Sequence, residues 1–317
     1  MEIVNTLALV FALVAIGYTL AWRGILRDGA GEALGDFVTT VAIPTLLFRT
    51  LSQADFGSVT PVTLWMTYFT SIMLTWVVAT MLIRRGFGRD ARSGVVAGLS
   101  ASFSNLLLLG LPVTFALFGQ AGTETLSLIL AIHLPIMMAT SVILNERAEI
   151  IDGLRDQQTD PWTTLRRILV SLASNPLVLG IVAGVIWRFL PAELPGFLSE
   201  LIDRLAALAG TLALISLGLS LRRFGIARNV PQAATMTALK LLLMPCIATL
   251  MSLVFGLSPL QAEIVIVAAA MPTGVNPYLL ATRFGTGEAI ASNALLLSTL
   301  MAPITLLFWS FVARTIF

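Results

Sequence analysis

Four side chains in this sequence stand where an apolar chain has little use for them: Asn105, Asn276, Lys240 and His133. An amide carries donors and an acceptor together, so it can orient a carboxylate or close off loose backbone. Asn105 lies in FSNLLLLGLPVTFALFG (103–119) with Gly110 and Pro112. Asn276 lies in AAAMPTGVNPYLLATRF (268–284) with Pro272, Gly274 and Pro277. A proline removes a backbone donor and collides with the carbonyl four residues earlier, so Pro272 frees Ala268 and Pro277 frees Thr273. In hydrocarbon such groups are tolerated only when buried in protein or facing a wet cavity. Ser104 and Thr273 are secondary candidates beside the same breaks.

Lys240 is the one lysine among 19 basic residues, and unlike arginine a buried lysine can give up its proton. It follows Pro231, near the start of its span, by about 13.5 Å of helix, close to half of an apolar core about 30 Å thick. Two readings stand: an ionisable group with a task inside the membrane, or a side chain that snorkels to the surface. His133, in LILAIHLPIMM, can shuttle protons near neutral pH or sit as a neutral histidine bonded to a carbonyl.

These residues need apolar elements to hold them, and composition supplies little else. The chain has 317 residues, 57% hydrophobic and only 11% charged, with mean hydropathy +0.92. Soluble domains run near a quarter charged, so an all-α integral membrane protein is expected. The net charge of +2 comes from arginines scattered at span ends, which argues against a nucleic-acid partner. A single cysteine, Cys246, and a single histidine exclude an intrachain disulfide and a histidine or cysteine metal cluster. No phosphate-binding glycine loop occurs, and no cofactor or metal is expected. Carboxylates such as Glu2, Asp36, Asp55, Glu124, Asp203, Glu263 and Glu288 fall at span ends or in loops. With no nucleophile–base pair in the spans, an enzyme is not expected. The first apolar run is long enough to remain as a membrane helix, and no basic residue precedes it.

Hydropathy predicts about ten spans, at 3–22, 33–52, 61–83, 94–118, 125–144, 168–190, 198–221, 231–255, 260–284 and 288–314. Most arginines, Arg84, Arg85 and Arg147 among them, fall on one side; Arg49, Arg188, Arg204 and Arg314 fall on the other. The first side is therefore expected to be cytoplasmic and both termini outside. The charged stretch 145–167 reads as a linker between a first repeat, 1–144, and a second, 168–317. Five spans on each side of it force the halves into opposite orientations, an inverted five-plus-five repeat. Weak internal matches run in the same order, Trp22-Arg23 with Trp187-Arg188 and Phe118-Gly119 with Phe284-Gly285; the latter sets Gly110 opposite Asn276. Trp22, Trp65, Trp187 and Trp309 fit interfacial belts. Gly180 and Gly184 form a GxxxG that suggests close helix packing and hints at a homodimer.

Two broken helices in matching halves point to a binding site for something carried through the membrane. Beside helix ends, amides and Lys240, that something is a small anion. A ligand-binding receptor or a channel is the alternative.

The chain resembles the auxin efflux carrier family of the wider bile acid/auxin/arsenite transporter superfamily. The resemblance rests on Pro44 in FVTTVAIPTLLF, on the Asn-x4-Gly-x-Pro of Asn105, Gly110 and Pro112, and on Ser216-Leu217-Gly218. It rests also on Lys240 with Pro245, and on the P-x-G-x-x-P of Pro272, Gly274 and Pro277. It implies scaffold helices 1, 2, 6 and 7, transport helices 3–5 and 8–10, and helices 4 and 9 crossing at their breaks. Substrate beside the crossing would move by an elevator-like shift of one domain. The substrate it implies is an organic anion, an indole carboxylate or a dicarboxylate such as malonate or malate. Plant members place proline directly before the asparagine, where this chain has Ser104, and often have a long central loop. The short loop here resembles prokaryotic members.

Overall fold

The structure is a computed structural model that describes residues 2–27, 29–54, 61–156, 160–190, 194–224 and 228–317. Asp55 and residues 157–159 of the expected linker lie outside the described residues. Long apolar runs close their own backbone hydrogen bonds as helices, the arrangement lipid demands. In chain order these are α1 (Glu2–Trp22), α2 (Ala30–Gln53), α3 (Pro61–Gly86), α4 (Ala91–Ser102), α5 (Leu106–Ile151) and α6 (Pro161–Ala173). They continue as α7 (Pro176–Arg188), α8 (Gly196–Leu221), α9 (Val230–Val254), α10 (Pro259–Ala270), α11 (Asn276–Phe284) and α12 (Glu288–Ile316). Among the described residues, 7 helices are long and apolar enough to cross a membrane, and α7 and α10 are shorter apolar helices.

The element ends differ from expectation where local chemistry overrides hydropathy. The expected span 94–118 is broken between α4 and α5. The helix then runs on through Gly119, whose φ of 62° and ψ of −147° bend it; that backbone favours glycine. The α5 stretch is therefore two helical pieces meeting at a kink, and the kink falls where the expected span 94–118 ends. The span expected at 168–190 is divided: Pro176 opens α7, and Asn175 accepts a hydrogen bond from the Leu177 amide at 2.9 Å, a side-chain cap that starts a new helix. Both ends of the stretch 145–167 are helical, in α5 and α6.

The chain divides into two compact units. The first comprises Met1–Thr60, Leu106–Ala131 and Leu169–Arg223. In it α1 packs along α8, and α2 packs on α7 and α8. A Cβ on Gly180 would lie 2.5 Å from the Pro44 carbonyl oxygen, and one on Gly184 would lie 2.7 Å from that of Phe48. The GxxxG face is therefore occupied by α2 of the same chain, and it gives no support to a homodimer.

The second unit comprises Pro61–Asn105, Ile132–Ile168 and Phe224–Phe317. Here α4, nearly all buried, and α10, buried from Gln261 onward except at Glu263, pack with α3, α9 and α12. Its α9 carries a wider π turn at Leu239–Leu243, just ahead of Pro245. Pro245 has no amide hydrogen to give Leu241, and the Leu241 carbonyl instead accepts Trp309 Nε1 at 2.8 Å. Trp309, expected in an interfacial belt, is 7% exposed and joins α12 to α9.

Candidate functional site

The site is built where the second unit interrupts two helices. After Ser102, Phe103 turns to extended backbone (φ −82°, ψ 97°); the SFSN sequence there offers serine and asparagine side chains that compete with helical bonding. After Ala270, Met271 does the same (φ −57°, ψ 144°), one residue ahead of Pro272, which disfavours helix at the residue before it. The two extended pieces lie antiparallel, with Ser104 opposite Thr273. The Asn105 amide donates to the Pro272 carbonyl at 2.8 Å, and the Gly274 amide to the Phe103 carbonyl at 2.9 Å. This pairing leaves the amide of residue 104 unused, so a proline there, as in plant members, is compatible with the same geometry.

Buried backbone at such a break must find partners elsewhere. Thr273 Oγ1 donates to the Ser100 carbonyl at 2.7 Å, covering the C-terminal end of α4. The Thr273 amide would have bonded to Ala269 in an unbroken helix; it donates instead to Ser298 Oγ of α12 at 3.0 Å. Ala269 is then left with a bare carbonyl, and Lys240 Nζ donates to it at 2.5 Å, with Met244 Sδ at 3.3 Å. Lys240 is 0% exposed, so its side chain stays in the protein interior and does not snorkel.

His133 lies beside this pairing at 2% exposure, with neither ring nitrogen hydrogen-bonded. The carbonyl partner of the neutral reading is therefore absent among the described residues. Its ring meets Phe103 edge-on at 4.8 Å and Tyr68 at 5.7 Å. An unpartnered polar group in an apolar surround is destabilising.

The second unit thus holds Asn105, Thr273, Gly274, Asn276, Pro277, Lys240, His133 and Ser104. Asn105 is buried, whereas Asn276 is partly open and begins α11, with Pro277 in the first turn, where a missing donor does no harm. Gly110 and Pro112, expected at the first break, lie beyond it in the first unit: Gly110 closes a π turn at Leu106–Gly110, and Pro112 is inside the helix that follows. The break comes earlier because the SFSN sequence ends α4 before the proline is reached.

Two residues escaped the sequence reading, Ser298 and Tyr68. Nothing local marks Ser298, since its task depends on a remote amide. A signal did exist for Tyr68. It adjoins Thr67, Ser71 and Thr75, fully buried on α3, and polar residues at i, i+4 and i+8 trace one inward-facing helix stripe.

The profile of the membrane transport protein family matches residues 2–310. The chain is similar to an "Uncharacterized transporter" of Methanothermobacter thermautotrophicus, 27% identical over 313 residues that cover 97% of each chain. It is 26% identical to a "Putative malonate transporter" of Rhizobium meliloti over 318 residues, 96% of this chain and 93% of the relative. It is 25% identical to an "Auxin efflux carrier component 8" of Arabidopsis thaliana over 322 residues, 87% of this chain and 88% of the relative.

Proposed function

The chain belongs to the membrane transport protein family, the auxin efflux carrier group whose crossover motifs it carries, and on that premise we propose that it is a secondary carrier of small organic anions. The observation that carries the reading is the paired break with Lys240 bonded to its carbonyl end. Two half-helices meet a break with opposite charges: α10 ends there with partial negative charge and α11 begins with partial positive charge. An ammonium already occupies the negative end, in the position a coupling cation would take. The positive end, with the Asn276 amide, is left to an anion. Asn105 and Asn276 orient the carboxylate, and Thr273, Gly274 and Pro277 form the strand and turn that support them; Gly110 and Pro112 shape the continuation of the first broken span. Lys240 takes the place of a coupling cation and balances the passenger's charge, and His133, unpartnered and buried, serves proton coupling.

The substrate class is a dicarboxylate such as malonate or malate, or an indole carboxylate. Relatives named for malonate and for auxin support that class. In this reading helices 1, 2, 6 and 7 form a scaffold and helices 3–5 and 8–10 a moving transport domain of an inverted five-plus-five repeat, with alternating access by an elevator-like shift, although Leu106–Ala131 belongs to the first unit. The protein sits in the plasma membrane with both termini outside and works as an exporter.

Saturable counterflow of radiolabelled malonate and of an indole carboxylate in proteoliposomes tests the reading. Asn105→Ala and Asn276→Ala are each expected to weaken apparent affinity about tenfold, the loss of one carboxylate hydrogen bond. Unchanged affinity in both would remove the amides from the site, and non-saturating flux would favour a channel.

A further inference from the structure

A second site lies away from the break. The ends of α3 and α5, with the start of α4 as floor, enclose a groove of about 620 Å³. Its inner wall is apolar: Trp76, Val77 and Met81 from α3, with Leu144 and Ile151 from α5. Its rim carries Arg84, Arg85, Arg89 and Arg147, and no carboxylate lines it among the described residues.

Most arginines that α4 and α5 bring nearby are already engaged. Arg155 lies 3.6 Å from Glu146 and 3.4 Å from Glu149, and Arg92 lies 3.5 Å from Asp152. Asp152 also accepts the Ala91 and Arg92 amides at 2.9 and 3.0 Å. Arg89 donates to Asn229 at 2.7 Å. Arg84, Arg85 and Arg147 have no carboxylate within reach among the described residues, and all three are exposed. The stem of Arg84 is held down, since its Cγ and Cδ would be 3.2 Å from a Cβ on Gly94 beneath them. Clustered arginine at span ends is not sufficient for this arrangement. A smaller groove in the first unit, about 200 Å³, is also lined by arginines, but there Arg223 pairs with Glu32 and Arg222 with the Ala21 carbonyl.

We infer that the α3–α5 groove binds an anionic phospholipid from the leaflet on the arginine-rich side. Guanidinium groups hold phosphate oxygens through paired hydrogen bonds, and basic pockets between membrane helices take acidic lipid headgroups. The headgroup phosphate meets Arg84, Arg85 and Arg147. The first acyl carbons lie along Val77, Met81 and Ile151, which are exposed. A soluble dianion would satisfy the rim and leave the apolar wall unmatched; this wall is what selects a lipid.

The test uses the full chain purified in dodecyl maltoside, with phosphatidylglycerol, phosphatidylcholine or inorganic phosphate added. Retained lipid is counted by native mass spectrometry, and Tm is followed in parallel. Phosphatidylglycerol is expected to bind and raise Tm, while the other two leave Tm unchanged. The variant Arg84→Gln/Arg85→Gln/Arg147→Gln is expected to bind phosphatidylglycerol about a hundredfold more weakly, from three lost charge contacts. Arg23→Gln/Arg27→Gln, on the same arginine-rich side, is expected to bind as the unaltered chain does. Equal binding by the triple variant, or an equal loss in the Arg23/Arg27 variant, overturns the site. Equal protection by inorganic phosphate overturns the lipid as its occupant. Should the triple variant not fold, Arg147→Glu alone is expected to lower retained phosphatidylglycerol, and an undiminished count overturns the proposal.

Discussion

The breaks after α4 and after α10 are built alike and finished differently. Each follows a buried helix of 12 residues, and each contributes one backbone amide and one carbonyl to the other. The carbonyl end of α4 is closed by a hydroxyl, Thr273 on Ser100, whereas that of α10 is closed by the side-chain nitrogen of Lys240 on Ala269. One closure uses a group that does not titrate; the other places a titratable nitrogen inside an apolar unit. The comparison teaches that helix interruption and the placement of a titratable side chain are separable. The pairing could stand with two hydroxyl caps, so the lysine is where a transport task rather than folding is expected to show.

The strongest way to break the comparison is Lys240→Met. Malonate counterflow is expected to fall about a hundredfold, the equivalent of a charge-assisted contact of about 3 kcal/mol. Transport at the unaltered rate in a folded protein would make the two caps equivalent and refute the role given to Lys240. Next in size is Ser298→Ala, which strips the Thr273 amide of its acceptor. An unsatisfied buried amide destabilises by about 1–3 kcal/mol, read as a lower Tm, and an unchanged Tm would mean that the break relaxes to another partner.

Thr273→Val sharpens the contrast from the neutral side. Removing the hydroxyl from Ser100 is expected to lower stability by about 1 kcal/mol while counterflow stays within about fivefold of the original. A loss as large as that of Lys240→Met would erase the distinction. Smallest is Gly274→Ala. The new Cβ would meet Phe103 Cδ1 at 3.4 Å and the Asn105 Cα at 3.6 Å, ordinary contacts, so the change is expected to stay below about 1 kcal/mol. If counterflow nevertheless collapsed with Tm intact, the passenger itself would be using that space.

Much of this was legible from residue types. The membrane-spanning helical class and the family follow from apolar composition and from the motifs around Asn105 and Pro272. The site was only partly legible. Pro272 and Pro277 advertise a break because proline acts on its own backbone, but SFSN advertises it weakly, and attention went to Gly110 and Pro112 beyond it. The helix start at Asn175 does not show in the sequence for the same reason: a cap inside an apolar run barely changes hydropathy. The close packing expected of Gly180 and Gly184 is present, but against α2 of the same chain; that partner, and the burial of Trp309, do not show in the sequence because it does not tell a lipid-facing side from one covered by a neighbouring helix.

By itself the sequence determined that two apolar spans carry helix-breaking residues and that the chain's one lysine falls within an apolar run. Those facts reside in local covalent chemistry, in missing amide hydrogens and in the length of apolar runs. Only the tertiary structure decided which donor reaches which stranded carbonyl. Lys240 is 29 residues from Ala269, and Thr273 is 173 residues from Ser100. A hydrogen bond requires contact within about 3 Å, and contact between residues so distant along the chain is set by how the helices pack.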